Sequence, residues 1–137
     1  MAGAGEALAA AAAAALTGVE ELGGVYAGPP VQAAYPYAVV EAGPESDWSH
    51  KSGTGRELRL AAILRDKGES PARLRRIAAR AEAALAALEG DVGGWHVVNL
   101  RFLRFATTPP RTSASGESRT GEPWLGLVEF RARMLKA

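Results

Sequence analysis

The sequence predicts an α+β domain: a mainly antiparallel, four-stranded sheet with two helices packed on it, in the order helix-strand-strand-helix-strand-strand. Three observations carry this. Two stretches, about 4–16 and 70–90, have the composition or spacing of helices. Four others alternate with period two or are rich in β-formers. The strands come in adjacent pairs, each pair read as a hairpin, which favours antiparallel pairing with the helices on one face. At 137 residues the chain suffices for one domain, 1–137, able to bury about two-thirds of its unfolded surface.

The opening MAGAGEALAAAAAAAL is mostly alanine, the best helix former, and Thr17-Gly18 ends the helix. It has no positive leading region and is too short and weakly apolar to span a bilayer, so a soluble, intracellular product is expected. A short extended piece follows around Val25-Tyr26. YPYAVVEA predicts a strand over 36–42, with Pro36 at its tolerated first position, and Gly43-Pro44 breaks it. In GRELRLAAILRD, Leu58, Leu60, Ala62 and Leu64 share one face and Glu57, Arg59 and Arg65 the other, predicting a half-buried strand over 55–65. Residues 43–54 are then the connecting loop.

The stretch from Gly68 to Gly90 is the clearest helix. Ser70 is a natural N-cap, Pro71 suits the first helical position and Gly90 supplies the stop. Leu74, Ile77, Ala78, Ala81, Leu85 and Leu88 form one apolar stripe, and Arg73, Arg76 and Arg80 line up elsewhere. After a Gly93-Gly94 turn, WHVVNLRFLRF predicts a strand over 95–105 with Val98, Leu100 and Phe102 on one face. PWLGLVEFRARML predicts the last strand, 123–135, in which Trp124, Val128, Phe130 and Met134 alternate with Glu129, Arg131 and Arg133. The small, polar, proline-containing segment 106–122 between them is a second long loop, a length usually tied to function.

Composition narrows the chemistry. The chain has no cysteine, which excludes disulfides, thiolate metal sites and cysteine nucleophiles. The two histidines, His50 and His96, are too few for an imidazole metal site, so neither metal nor cofactor is expected. Net charge is only +1, yet residues 1–50 hold six acids and no Lys or Arg, while 51–137 hold all sixteen basic residues. Such polarity suits contact with an oppositely charged neighbour.

The stretch DWSHKSGTG, 47–55, looks chemical. Lys51-Ser52 lacks the preceding glycine and following helix of a phosphate loop, and GTGREL lacks the third glycine of a dinucleotide fingerprint. Asp47, Ser49 and His50 are nearly adjacent, whereas a hydrolase triad converges from separate elements. Catalysis is therefore not expected. A glycine-rich hairpin loop and an anion-binding loop both remain compatible with 51–55. Trp48 should cover apolar surface, on its own domain or on a neighbour. Nucleic-acid binding through the Arg73, Arg76 and Arg80 row is a competing class, opposed by the low net charge.

Taken in order, the N-terminal helix, VYAGPPVQAAYPYAVVEAG, DWSHKSGTGRELRLAAIL, the long helix, LRFLRF and GLVEFRARML resemble the tail-terminator family of long-tailed phages and gene transfer agents, over almost the whole chain. The most specific parts are Tyr35-Pro36-Tyr37, the Trp48-Ser49-x-Lys51-x-Gly53-x-Gly55 loop and the basic-apolar alternation at the C-terminus. The resemblance implies a structural protein, not an enzyme, forming a homo-oligomeric ring, generally a hexamer. The ring caps the tail tube and joins it to the neck of a particle made in the bacterial cytoplasm. Implied partners are the tube protein and a neck or stopper protein, with DNA at most passing through the channel and no membrane. Expected subunit or partner contacts are Glu41, Glu45, Asp47, Trp48 and Lys51, with Arg73, Arg76, Arg80, Arg111 and Arg119. The alternative is another head–tail connector, a stopper or adaptor.

Overall fold

The computed structural model describes residues 2–111 and 122–137. Its elements are α1 (Ala4–Leu16), β1 (Val25–Tyr26), β2 (Tyr37–Asp47), β3 (Gly55–Asp66), α2 (Ala72–Ala86), β4 (Gly90–Val92), β5 (Trp95–Thr108) and β6 (Trp124–Lys136). They form one six-stranded sheet in the order β1-β2-β3-β6-β5-β4. The sheet is mixed: β1 runs parallel to β2, and every other neighbouring pair is antiparallel.

The expected four-stranded, mainly antiparallel sheet is therefore wrong in strand number, in strand–helix order and in lacking a parallel pair. Two short strands account for the difference. β1 is two residues long and β4 three, too short for alternation to register, and each depends on a longer neighbour for its hydrogen bonds. The β4–β5 connection is the two-residue turn Gly93-Gly94, with φ of +55° and +90°. Two consecutive positive φ values are the signature of a type I′ turn, whose twist matches a hairpin.

Both helices lie on one face. On α1, Ala4, Ala7, Leu8, Ala12 and Leu16 point inward; on α2, Leu74, Ile77, Ala78, Ala81 and Leu85 do so. They join one core with Ala38 and Val40 of β2, Leu58 to Leu64 at alternate positions of β3, and Val128, Phe130, Ala132 and Met134 of β6. A side chain at Gly126 would meet Leu74 at 3.3 Å, so the glycine lets α2 approach β6 closely. Deeper in the chain's economy of charge, Asp66 is buried at 3 % exposure but accepts hydrogen bonds from Arg73 Nε (2.8 Å) and from the Lys67 backbone N–H (2.9 Å).

Several boundaries differ from expectation. α2 has Pro71, not Ser70, at its N-cap and ends at Ala86, so Leu88 lies beyond it and Gly90 opens β4 instead of stopping the helix. β2 does not stop at Ala42 but continues to Asp47 past an irregularity between Ala42 and Glu45, so the loop expected over 43–54 shrinks to 48–54. β5 runs on to Thr108, and of the loop expected over 106–122, residues 112–121 lie outside the described residues. β5 also carries register shifts between Val97 and Asn99 and between Phe102 and Arg104. Each adds one residue to the strand and resets its alternation. Val97 is consequently buried and Val98 is 45 % exposed, which overturns the single face expected for Val98, Leu100 and Phe102.

Candidate functional site

The 48–54 connection is a tightly bonded hairpin end. Trp48 N–H donates to the Gly55 carbonyl at 2.9 Å, and His50 and Gly53 exchange backbone hydrogen bonds of 2.8 and 3.1 Å. The Ser49 hydroxyl donates to Asp47 Oδ1 at 2.6 Å and accepts from the Gly55 N–H at 3.1 Å. That bond is the leading reason the Asp47 carboxyl titrates below its ordinary range. The Ser49 proton is thus directed at Asp47, while the His50 ring packs edge-on against Trp48 with centroids 4.4 Å apart. The polar groups of this loop shape the turn.

The Arg133 guanidinium lies 5.5 Å from the Trp48 ring centre, a cation–π geometry, and the indole stays partly exposed. Lys51 is exposed at the tip of the turn, and Glu41 is exposed on β2. Glu45 receives the Gly5 N–H at 3.2 Å and lies 3.6 Å from Arg56.

The three aligned arginines of α2 have partners in their own chain. Arg73 is held by Asp66; Arg76 and Arg80 both bind Glu21. Glu21 is held below the usual glutamate range, first by the hydrogen bond from Arg76 and then by the nearby positive charges. Arg76 and Arg80 thus fasten the segment after α1 to α2, while Arg73 ties the start of α2 to the end of β3. Arg111 meets Glu122 at 2.7 Å, joining the described residues on either side of 112–121, and Glu122 raises its pKa. Arg119 lies outside the described residues.

Sequence reasoning missed the face of the sheet that carries no helix. In register, Arg59 of β3 stands opposite Arg131 of β6, and Arg131 opposite Arg101 of β5. One step along each strand on the same face are Glu57 with Arg133, and Glu129 with Arg104. Glu57 lies 2.9 Å from Arg133 and 3.8 Å from Arg131; Glu129 lies 3.3 Å from Arg104 and 3.6 Å from Arg59. The Arg133 hydrogen bond is the main cause of the lowered Glu57 pKa. The signal lay in RELRL, LRFLRF and EFRARML, but only the pairing register turns three separate alternations into one row.

Toward the other end this face becomes apolar. Ile63, Ala106, Leu125 and Leu127 line an open groove of about 370 Å³, and Tyr37 is covered by the rings of Tyr26 and Tyr35. Among the described residues no cluster of three metal-ligating side chains occurs, and no helix is long and apolar enough to cross a membrane.

No protein-family model matches the chain. No curated protein matches it either. Among solved structures, the chain is similar to one in the virion of a native gene transfer agent particle. The two share 27 % identity and superpose with a TM-score of 0.59, covering 95 % of this chain and 96 % of the other.

Proposed function

We propose that this protein is a structural component of a phage-like particle and, more specifically, a non-enzymatic tail terminator. In this reading several copies, six in the family it resembles, close into a ring that caps the tail tube and meets the neck. The observation that carries the proposal is the end-to-end likeness to a chain of a gene transfer agent virion, at 27 % identity over 95 % of this chain. That likeness bears on the particle. The ring and the capping role rest on the family resemblance in sequence together with the shape of the sheet.

A closed ring needs heterologous contacts, in which one patch meets a different patch on the next copy. The sheet has two unlike edges. At one, β4 pairs only with Trp95 to Val97, leaving the outer edge of the rest of β5, on the side away from β6, unpaired among the described residues. This stretch exposes Val98 and Phe102. At the other, β1 pairs only with Ala38 and Val39, leaving the Glu41 end of β2 open. An unpaired edge is a template for association, and unlike edges suit head-to-tail packing.

The arginines of α2 contribute differently from what charge alone implies. Arg76 and Arg80 are occupied by Glu21 within the chain, so contact with a neighbour falls more naturally to the exposed Glu41, Lys51 and β5 edge. The test is an assembly assay with purified tube protein. Addition of this protein should arrest tube growth and leave a ring-shaped cap in negative-stain images. Tubes that keep lengthening, with no cap at either end, would refute the capping role.

A further inference from the structure

The helix-free face carries an arrangement that folding alone does not favour. Arg59, Arg131 and Arg101 are direct cross-strand neighbours on three adjacent strands. Like charges placed opposite one another destabilise a sheet. With strands about 4.8 Å apart, the row spans about 10 Å. Arg104 and Arg133 flank it on the same face, making five arginines on β3, β5 and β6 against two glutamates there, Glu57 and Glu129, with Glu41 of β2 a third beside Ala61. Glu57 and Glu129 are each shared between two arginines. Arg101 is exposed and has no ion pair among the described residues.

From this placement we infer that the arginine band is a binding site for the phosphodiester backbone of duplex DNA. The guanidinium is a planar fork of donors that matches a phosphate, and it stays charged at every physiological pH. A line of excess positive charge is matched by a line of phosphates. The band also lacks what a protein interface needs at its centre, since beside the charged residues its positions hold only Ala61 and Asn99. An aromatic ring, Trp48, lies at the margin against Arg133, and Ile63 and Leu127 begin the apolar groove beyond the row, so the row itself holds no apolar anchor to exclude water and supply hot-spot energy. The net charge of +1 conceals the site, because most of the chain's acids lie elsewhere on the molecule. The inference does not depend on the assignment to a tail.

The experiment titrates a fluorescein-labelled 20-base-pair DNA duplex with the full-length protein, reading anisotropy between 50 and 300 mM salt. Three engaged phosphates give a slope of log affinity against log salt of about −2.7. Arg101→Gln should weaken binding and flatten the slope by about one, and the triple variant Arg59→Gln/Arg101→Gln/Arg131→Gln should abolish it. Arg75→Gln makes the same change of net charge on exposed α2, on the other side of the sheet, and should leave affinity and slope unchanged. Circular dichroism checks that the triple variant folds; if it does not, the Arg101 and Arg75 variants decide the matter by themselves. The inference is overturned if wild-type protein fails to bind at 50 mM salt. Equal weakening by Arg75→Gln and Arg101→Gln would also overturn it, as would row variants that lose self-association while keeping DNA affinity.

Discussion

The bulge in β5 makes a sharp and unequal prediction for two adjacent valines. Val97 is 7 % exposed, faces the helices and stands opposite the fully buried Met134, whereas Val98 is 45 % exposed. Truncating Val97 to alanine removes two carbons from the core, worth about 1.6 kcal/mol by transfer, and the residual cavity brings the cost to about 2 kcal/mol. The same change at Val98 removes carbons already half in water and should cost about 0.5 kcal/mol or less. For a chain of 137 residues the unfolding entropy near the midpoint is about 0.3 kcal/mol/K. Val97→Ala should therefore lower Tm by about 7 °C and Val98→Ala by under about 2 °C. Urea denaturation of both variants in dilute protein, with an unchanged m-value, gives the same comparison in free energy. Equal losses, or a larger loss at Val98, would show that β5 keeps an unbroken alternation and would refute the bulge.

Two further predictions concern how α1 and its following segment are held. Glu21 has a folded pKa below its ordinary value near 4.5 because Arg76 and Arg80 bind it. Its contribution to stability is therefore complete above that value and is lost as pH falls through the lowered folded pKa. Glu21→Gln should be less stable than wild type at pH 7, and the gap should close in melts taken progressively below pH 4.5; a gap independent of pH would contradict the pairing. Gly93 has φ +55°, and a side chain there would come within 2.9 Å of the Ala7 Cβ. Gly93→Val should cost about 1–3 kcal/mol in backbone strain and speed amide exchange in α1, whereas unchanged exchange would mean that the hairpin does not abut the helix.

Much of the fold was legible where long elements carry a clear period. The helix over 4–16 and the inward set Leu58, Leu60, Ala62 and Leu64 lie where composition and alternation put them. What failed to register was context. β1 and β4 exist only because β2 and β5 offer them hydrogen bonds, and the β5 bulges shift alternation in a way no run of residue types announces. For the candidate site the limit was register. Each of Arg59, Arg101 and Arg131 reads in isolation as an ordinary solvent-facing residue of its strand, and only the pairing brings them into one row. Conversely, Arg73, Arg76 and Arg80 look free in the sequence: Glu21 lies 55 and 59 positions from Arg76 and Arg80, and Asp66, seven residues from Arg73, is separated from it by the turn from β3 into α2. Trp48 was expected to cover apolar surface; in the fold its ring instead meets the guanidinium of Arg133, 85 positions away in the chain.

The central claim is that the protein ends a tail, and electron microscopy of particles made without its gene tests this most directly. The account predicts filled heads beside unattached tails of irregular length, with joined particles restored when the gene is supplied again. Particles of wild-type form and tail length in the deletion would contradict it.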